Sequence, residues 1–298
     1  MLEEIIYEYL SEHHKLNGRI AEYNGVPAVF NRSAPSDVAD DWSAVQFPRI
    51  VFYISRRDDA ENDVSGTLDI NIYCHNLNSE TPEELSETIK AAIDGYIFTS
   101  DSEIVSVQWL QTYYDTNPQK EISAAALSFG FLAFPKQNIN HPDYIGALNY
   151  WAKWLLPNST VIGLDTTPKV FCPSNLSPAI YFRSEKVSPC SYIPSTYAGT
   201  WYTAEVRGHI FAPDFNIRSN LAQSMLCAMN KQKCLRLDDD TLMRIDHMNK
   251  VVPGSDEYRT GEILSECTYC VLNIMPDAEK LNKIYINERR ARNGNKKQ

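Results

Sequence analysis

The sequence contains little glycine, no long apolar run and none of the common catalytic motifs. Twelve glycines in 298 residues argue against collagen-like, linker-like or glycine-loop-dominated folds. No apolar run approaches the roughly 20 residues that a membrane helix requires, so we expect no membrane association. The start, MLEEIIYEYLSEHH, is acidic and amphipathic, unlike a signal or transit peptide. We therefore expect a soluble protein of the cytoplasm.

Cysteine usage gives no sign of a disulfide framework or a metal site. Seven cysteines are an odd number, and their spread is not that of a secreted disulfide scaffold. Cys267 and Cys270 form a single C-x-x-C pair, but the string around them predicts a strand, on which residues three apart point to opposite faces. No second pair follows at zinc spacing. We expect ordinary thiols, with no metal and no cofactor.

The charge distribution argues against a general nucleic-acid-binding surface. The net charge is −10 and the sequence pI is about 5.1. Residues 280–297 are the exception, with seven Lys or Arg and one acid, Glu288. This basic segment predicts either a disordered, solubilising end or a region that binds an acidic partner or nucleic acid.

The order of elements predicted for the first half of the chain recurs in the second half. Each half begins with a helix, continues through three strands to a second helix, and ends with two strands. The spacing between matching elements drifts only in predicted loops, which is typical of a diverged tandem duplication, although two generic α/β patterns could also coincide by chance. The first-half elements are the helix with Leu2, Ile5, Ile6, Tyr9 and Leu10, the strings 27–30, 48–53 and 67–73, the helix from Thr81 to Gly95, and the strands 104–109 and 123–134. Their second-half matches are the helix capped by Asp143, the strings 168–171, 178–182 and 201–211, the helix with Leu221, Met225, Ala228 and Met229, and the strands 242–245 and 265–274.

These patterns predict an α+β protein made of two tandem copies of a small mixed or antiparallel sheet, with two helices packed on one face. Copy one spans residues 1–136 and copy two spans residues 137–278, followed by the basic C-terminal tail 279–298. The string around 134–137 has linker composition. The other face of each sheet is left open and needs polar residues or a partner.

The ordered strings resemble the tail terminator, or tail completion, proteins of long-tailed bacteriophages, in a duplicated two-unit form like that of phages and prophages of Gram-positive bacteria. The resemblance covers residues 1–136 directly and 137–275 mainly through the repeat. None of the strings is catalytic, so the resemblance depends on their order. They are 27–30, Ala34-Pro35, Trp42, 47–50, 66–73, 82–84 and the FGFLAFP strand through Pro135.

The resemblance implies a structural role in the virion. Such proteins form a homo-oligomeric ring that caps the tail tube, ends its polymerisation and provides the surface to which the head-tail connector or stopper attaches. DNA passes through without sequence-specific binding. By this resemblance the protein is located at the head-proximal end of the tail, and in the host cytoplasm during assembly. It also implies a fold with a small mixed sheet and helices on one side.

Three other interpretations stay open at this stage. An enzyme is disfavoured because P-loop, dinucleotide-binding, zinc-protease and nucleophile-elbow motifs are missing. The run 238–240 could hold a divalent cation but is typical of a solvated turn. The second interpretation is a different connector or stopper ring protein, and the third is a duplicated, non-catalytic binding module.

The predicted site residues are surface contacts rather than catalytic groups. The loops 55–65 and 184–199 link strands, and we expect one of them to touch the tail tube or a neighbouring subunit. A ring that lets DNA pass should not bind phosphate tightly, so acidic loops are expected to face the lumen. The predicted interface residues are Arg56, Arg57, Asp58, Asp59, Trp42, Tyr192 and Tyr197. The predicted lumen-facing acids are Asp37, Asp40, Asp41, Glu61 and Asp63.

A closed ring is expected because an open sheet face leaves apolar residues without cover. Six-fold tube geometry is satisfied by three chains with alternating copies, or by six chains with copy two outside the ring. Because the copies have diverged, we favour six chains, with residues 1–136 forming the ring.

Overall fold

A computed structural model describes residues 1–43, 45–59, 63–76, 79–101, 103–117, 121–135, 142–250 and 261–273, with backbone alone for 57–59, 63–65 and 135. Over these residues the chain is a mixed α+β protein with four helices and two curled sheets of seven and six strands. The two halves are roughly similar, as the internal repeat predicts. None of the described helices is long and apolar enough to span a membrane.

The first half supplies six strands of the seven-stranded sheet. Their spatial order is β3-β4-β5-β8-β7-β6, antiparallel throughout except for the parallel pair β3 and β4. The elements in chain order are α1 (Leu2–Glu12), β1 (Glu22–Tyr23), β2 (Val26–Pro27), β3 (Val29–Asn31), β4 (Arg49–Asp59), β5 (Asp63–His75), α2 (Pro82–Ile93), β6 (Ile97–Thr99), β7 (Glu103–Asn117) and β8 (Ile122–Pro135).

The second half repeats this order in its own six-stranded sheet. The spatial order is β9-β11-β12-β15-β14-β13, again antiparallel except for one parallel pair, β9 and β11. The elements are α3 (Tyr144–Leu155), β9 (Thr160–Val161), β10 (Val170–Phe171), β11 (Ala179–Pro189), β12 (Gly199–Phe211), α4 (Phe215–Gln232), β13 (Cys234–Arg236), β14 (Leu242–Lys250) and β15 (Ile263–Leu272).

Local sequence signals explain where the helices begin and end. The Thr81 hydroxyl accepts a hydrogen bond from the Glu84 backbone N–H, and Pro82 opens α2, as the capping string predicts. Gly95 follows this helix with φ +77°, a conformation that glycine adopts without strain. The Asp143 carboxylate accepts from the Gly146 N–H and starts α3. The predicted helix boundaries are confirmed at these positions.

Each half has its own apolar core. Alternate strand residues enter it, such as Ile50 and Phe52 in the first half and Ile180 and Phe182 in the second. In the first half α2 contacts the central strands β5, β7 and β8, whereas α1 contacts the outer strands β3 and β6. The helices of a half are therefore not clearly packed side by side on one face of its sheet.

The two predicted contact loops are mostly strand. Pairing of β4 with β5 continues to Asp59 opposite Asp63, so residues 55–59 and 63–65 belong to the paired strands of a long hairpin rather than to a loop. Similarly, β11 extends to Pro189 and β12 begins at Gly199, which shortens the second loop to 190–198. Polar composition thus does not exclude strand pairing, because pairing depends on the neighbouring strand as well as on the residues themselves.

The predicted match between the strings 27–30 and 168–171 is wrong. The counterpart of β3 is β9, because each runs parallel to the next long strand of its own half. The string 168–171 instead forms β10, which pairs with β6 of the other half. The pairing of a two-residue strand depends on which sheet edge lies beside it in the fold. A string of four residues does not contain that information.

Candidate functional site, an assembly interface

The two halves are joined by a strand that crosses from one sheet to the other. β10 lies antiparallel to β6, with Val170 opposite Phe98 and Phe171 opposite Ile97. The Thr99 N–H also donates to the Lys169 carbonyl oxygen at 2.7 Å. The second half therefore supplies the last strand of the first half's sheet, as in strand addition between separate proteins.

An apolar cluster behind this strand buries part of the outer face of both sheets. The rings of Phe134 and Tyr181 lie 4.4 Å apart, and Phe211 meets Phe134 edge to face at 5.4 Å. The sheet faces that the sequence left open are thus covered in part by the other half of the same chain. We call this set the inter-half cluster, and its fully buried members are Ile97, Leu132, Phe134, Ile162, Ala179 and Tyr181.

A cavity of about 210 Å³, with both polar and apolar walls, lies beside the joint. His209 on its wall is 2% exposed, and its Nε2 has no hydrogen-bond partner among the described residues. Burial, together with the nearby Arg183 and Arg207 charges, lowers the pKa of His209 to about 3. This imidazole is therefore neutral at physiological pH. The cavity wall also carries Arg218, whose guanidinium lies 3.6 Å from Glu262.

A partly buried ion network supports the strand pair β11–β12. Glu185 forms ion pairs with Arg183 and with Arg207, the latter at 2.5 Å. Burial alone would raise the pKa of Glu185, but hydrogen bonds from Arg207 and Arg183 outweigh it and hold that pKa below its usual range. The network thus keeps a carboxylate between two arginines that face each other across the strand pair.

Trp42, a predicted interface residue, lies in the core of the first half. It is 9% exposed and packs against Tyr23 and Phe30, with ring centroids 5.0 and 5.9 Å away. Its indole N–H donates to the Ser36 carbonyl oxygen at 3.0 Å. The indole is therefore not presented to a partner, because the hairpin β1–β2 supplies an aromatic pocket for it.

The predicted lumen-facing acids lie in two separate places. Asp37, Asp40 and Asp41 lie in the connection 32–48, where Asp37 pairs with Arg49 and Asp41 accepts a hydrogen bond from the Tyr23 hydroxyl at 3.1 Å. Asp63 begins β5 at the end of the β4–β5 hairpin, opposite Asp59. Glu61 lies outside the described residues.

The remaining predicted contacts lie on the hairpins. Arg56 forms a two-pronged ion pair with Glu103 on β7. Arg57, Asp58 and Asp59 follow it at the end of β4. In the loop 190–198 Tyr192 and Tyr197 are both exposed, and the Tyr192 hydroxyl is 2.7 Å from the Thr268 hydroxyl. These residues do not form one cluster.

Sequence reasoning missed two exposed aromatic residues on α3. Tyr150 is 67% exposed and Trp154 is 72% exposed, and their i, i+4 spacing places them on the same helix face. A signal was present, because both lie off the buried stripe that contains Leu148 and Ala152. Exposed aromatic residues that share one face of a helix are typical of a contact surface.

The acidic run and the C-x-x-C pair show no site geometry. Asp239 accepts from the Thr241 N–H, and Asp240 pairs with Arg236, as in an ordinary turn between β13 and β14. Cys267 points into the core of the second half, whereas Cys270 is half-buried on the same strand. In the part of the chain that the structure describes, no three His, Cys, Asp or Glu residues are grouped to hold a metal ion.

Comparison with known proteins assigns no family to this chain. No protein-family model matches it, and no curated protein matches it.

Proposed function

We propose that this chain is a structural phage protein, a tail terminator in duplicated form, that caps the tail tube and forms part of the head-tail joint. The observation that carries the proposal is the strand-mediated joint between the halves. A unit that accepts a strand at one sheet edge and donates one elsewhere can form rings. This geometry supports a ring better than it supports a catalytic cleft, and the proposal includes no enzymatic activity and no cofactor.

In the proposed ring both helices of a half cover the same side of its sheet. Two residues from different helices, Leu10 and Leu85, belong to one core cluster with the inward-facing strand residues, which supports this layout. The opposite side is then available for assembly, and the inter-half cluster already uses part of it.

The hairpin ends are the proposed contacts with other tail components. The end of the β4–β5 hairpin includes Arg56, Arg57, Asp58 and Asp59, and the loop 190–198 exposes Tyr192 and Tyr197. These would meet the tail tube protein on one side and the connector or stopper on the other. Asp37 and Asp41 are already bonded within the chain, so the acidic hairpin end supplies the charge that faces passing DNA.

Electron microscopy of tail tubes tests the proposal directly. Tubes assembled from the tail tube protein of the same phage, with and without the purified full-length chain, should differ by an extra ring at one end and by arrested elongation. As a matched pair, Tyr192→Ser and Tyr197→Ser remove candidate contacts, and Tyr113→Ser removes an exposed tyrosine of β7. Tubes that keep growing, with no ring at either end, would overturn the proposed function.

A further inference from the structure

We propose that the outer edge of β13, together with Tyr150 and Trp154 of α3, binds the connection 32–48 of a second copy of this chain. Chains would then associate head to tail, with first and second halves alternating. Inside one chain, residues 162–178 of the second half dock on the β6 edge and beside α1 of the first half. This docking is a template for a second one between chains.

The acceptor edge of the template has an equivalent in the second half. Both sheets have the same strand order, and β13 occupies the place of β6. The middle residues Phe98 and Leu235 both point into the core of their half. Cys234 and Arg236 therefore take the places of Ile97 and Thr99, the residues that flank Phe98 on the edge covered by β10. Among the described residues no strand pairs with the outer edge of β13.

The helix beside this edge supports the same conclusion. Aligned by their first residues, α1 and α3 match in burial, and Glu8 of α1 corresponds to Tyr150 of α3. Glu8 contacts the docked segment through Lys169, at 3.4 Å. The equivalent place in the second half thus carries an exposed tyrosine, with Trp154 one turn further along. An open strand edge and two exposed rings lie together where a docked segment is expected.

The donor segment also has an equivalent, in the first half. Residues 32–48 and 162–178 each form the seventeen-residue connection that follows the short parallel strand, β3 or β9. The first-half connection exposes two apolar side chains, Val38 and Val45. The connection is anchored where the Trp42 indole N–H donates to the Ser36 carbonyl oxygen and where Asp37 pairs with Arg49, so the exposed turn around Val38 is the part that can reach a neighbour.

Charge complementarity selects this segment over other extended peptides. Its stretch 37–41 carries the charges of Asp40 and Asp41, since Asp37 is already paired with Arg49, whereas the start of the acceptor edge is flanked by Lys231 and Lys233. The acidic turn 238–240 lies at the other end of β13, which favours one direction for the incoming segment. Opposite charges of this kind fix partner and register more than they add affinity.

The two surfaces lie at opposite ends of the chain's sheet order. The donor connection adjoins β3, at one edge of the seven-stranded sheet, and the acceptor is β13, the last strand of the other sheet. Repeated head to tail, such a heterologous contact leaves one donor and one acceptor free at the ends of an open series of chains, and a closed ring satisfies them all. This stoichiometric step rests on the proposed function: a ring of six units contains three chains, not the six favoured by sequence divergence.

Photo-crosslinking of the full-length chain tests the contact. With p-benzoylphenylalanine in place of Trp154, illumination of the purified protein should produce crosslinked dimers whose peptides map to residues 32–48 of another copy. Crosslinks to residues 274–298, to other segments, or a chain that stays monomeric at its highest soluble concentration would each overturn the inference.

A pair of surface variants gives the energetic test. The double variant Tyr150→Ser and Trp154→Ser should weaken self-association by roughly 10-fold or more, as expected for two central aromatic contacts. Tyr113→Ser, which removes an exposed tyrosine elsewhere, should leave it unchanged, and equal association of both variants would contradict the inference. Because these measurements use the chain alone, crosslinks to residues 32–48 without capping of tail tubes would contradict only the proposed function. Capping of tail tubes together with crosslinks outside residues 32–48 would contradict only this inference.

Discussion

The two halves share one strand order but use the same connection in opposite ways. In the first half residues 32–48 fold back on their own half, where Trp42 packs against the hairpin β1–β2. In the second half residues 162–178 leave their half, and β10 joins the other sheet. Over the described residues no hairpin like β1–β2 occurs in the second half. A duplicated unit can thus change role through one loop, since loops tolerate change better than core elements do.

The two halves also differ in the sheet face that lies opposite the core: a part of it that is covered in the first half is exposed in the second. Ile104 of β7 packs against the inter-half cluster that contains Phe134, whereas Leu242, its counterpart on β14, is exposed. In the first half this surface is therefore buried and stabilised by the second half, whereas the equivalent surface of the second half is exposed at Leu242. Four sets of variants separate these roles.

Phe134→Ala should cause the largest loss of stability. The ring is 2% exposed and contacts Tyr181 and Phe211, so its removal leaves a cavity between the halves. We expect the free energy of unfolding to fall by about 3–5 kcal/mol, measured by urea denaturation. The matched change Leu242→Ala should cost less than about 0.5 kcal/mol because that side chain is exposed. Equal costs at the two sites would show that the inter-half cluster is not a core.

Glu185→Gln should have the next largest effect. In the first half Tyr53 of β4 lies opposite Asp69 of β5. At the equivalent place in the second half Arg183 of β11 lies opposite Arg207 of β12, and Glu185 lies in the bulge of β11 beside them. Without the carboxylate two like charges face each other at a partly buried site, which should cost about 2–3 kcal/mol. Glu205→Gln, at an exposed place on β12, should be nearly neutral.

The cost of Glu185→Gln should depend on acidity in a defined direction. Since the arginines hold the folded-state pKa of Glu185 below its usual value, its contribution is present above the unfolded pKa and is lost as the pH falls through the folded one. The difference between wild type and variant should therefore shrink below about pH 4. A difference that grows in acid would show that the arginines do not stabilise the charged form.

Features that depend on neighbouring residues in the sequence were predictable. Features that depend on a contact with a distant part of the chain were not. The Thr81 cap and the buried stripe of α1 were predictable, because a cap and a helix period involve residues a few positions apart. The strand with which Val170 and Phe171 pair was not predictable, because the string 168–171 has the same kind of composition as a string that would pair within its own half. Only the exposed edge of β6 selects it.

The candidate site follows the same division. Tyr192 and Tyr197 are exposed as their loop composition suggests, whereas Trp42 is buried by a hairpin that its own string does not reveal. Tyr150 and Trp154 could have been found by asking which aromatic residues fall off the buried stripe of α3. The inter-half cluster could not, because its members read as ordinary alternating strand residues.

His209→Phe should change how stability depends on pH. The folded-state pKa of His209 is about 3 against an ordinary value of 6.5, so lowering the pH between those values favours the unfolded chain, which takes up the proton. Wild type should lose about 2 kcal/mol through this residue between neutral pH and about pH 5. The variant cannot take up that proton and packs among Phe134 and Phe211 in the same place. Thermal unfolding at the two pH values measures this, and parallel pH profiles would contradict the assignment.

The smallest expected effect distinguishes the two helices that flank the acceptor edges. Glu8 of α1 meets the docked segment through Lys169, and both side chains are largely exposed. An exposed ion pair of this kind contributes about 0.5 kcal/mol or less, and salt weakens it. A double-mutant cycle with Glu8→Ala and Lys169→Ala should therefore give a coupling energy near that value at low salt and close to zero at high salt. If the measured coupling exceeds about 1 kcal/mol, the ion pair matters more than an exposed pair should, and the first-half joint depends on charge. Because α3 has Tyr150 at the corresponding position, a small coupling at Glu8 and a large loss of self-association on removing Tyr150 and Trp154 would mark the difference between the halves: polar contact within the chain, aromatic contact between chains.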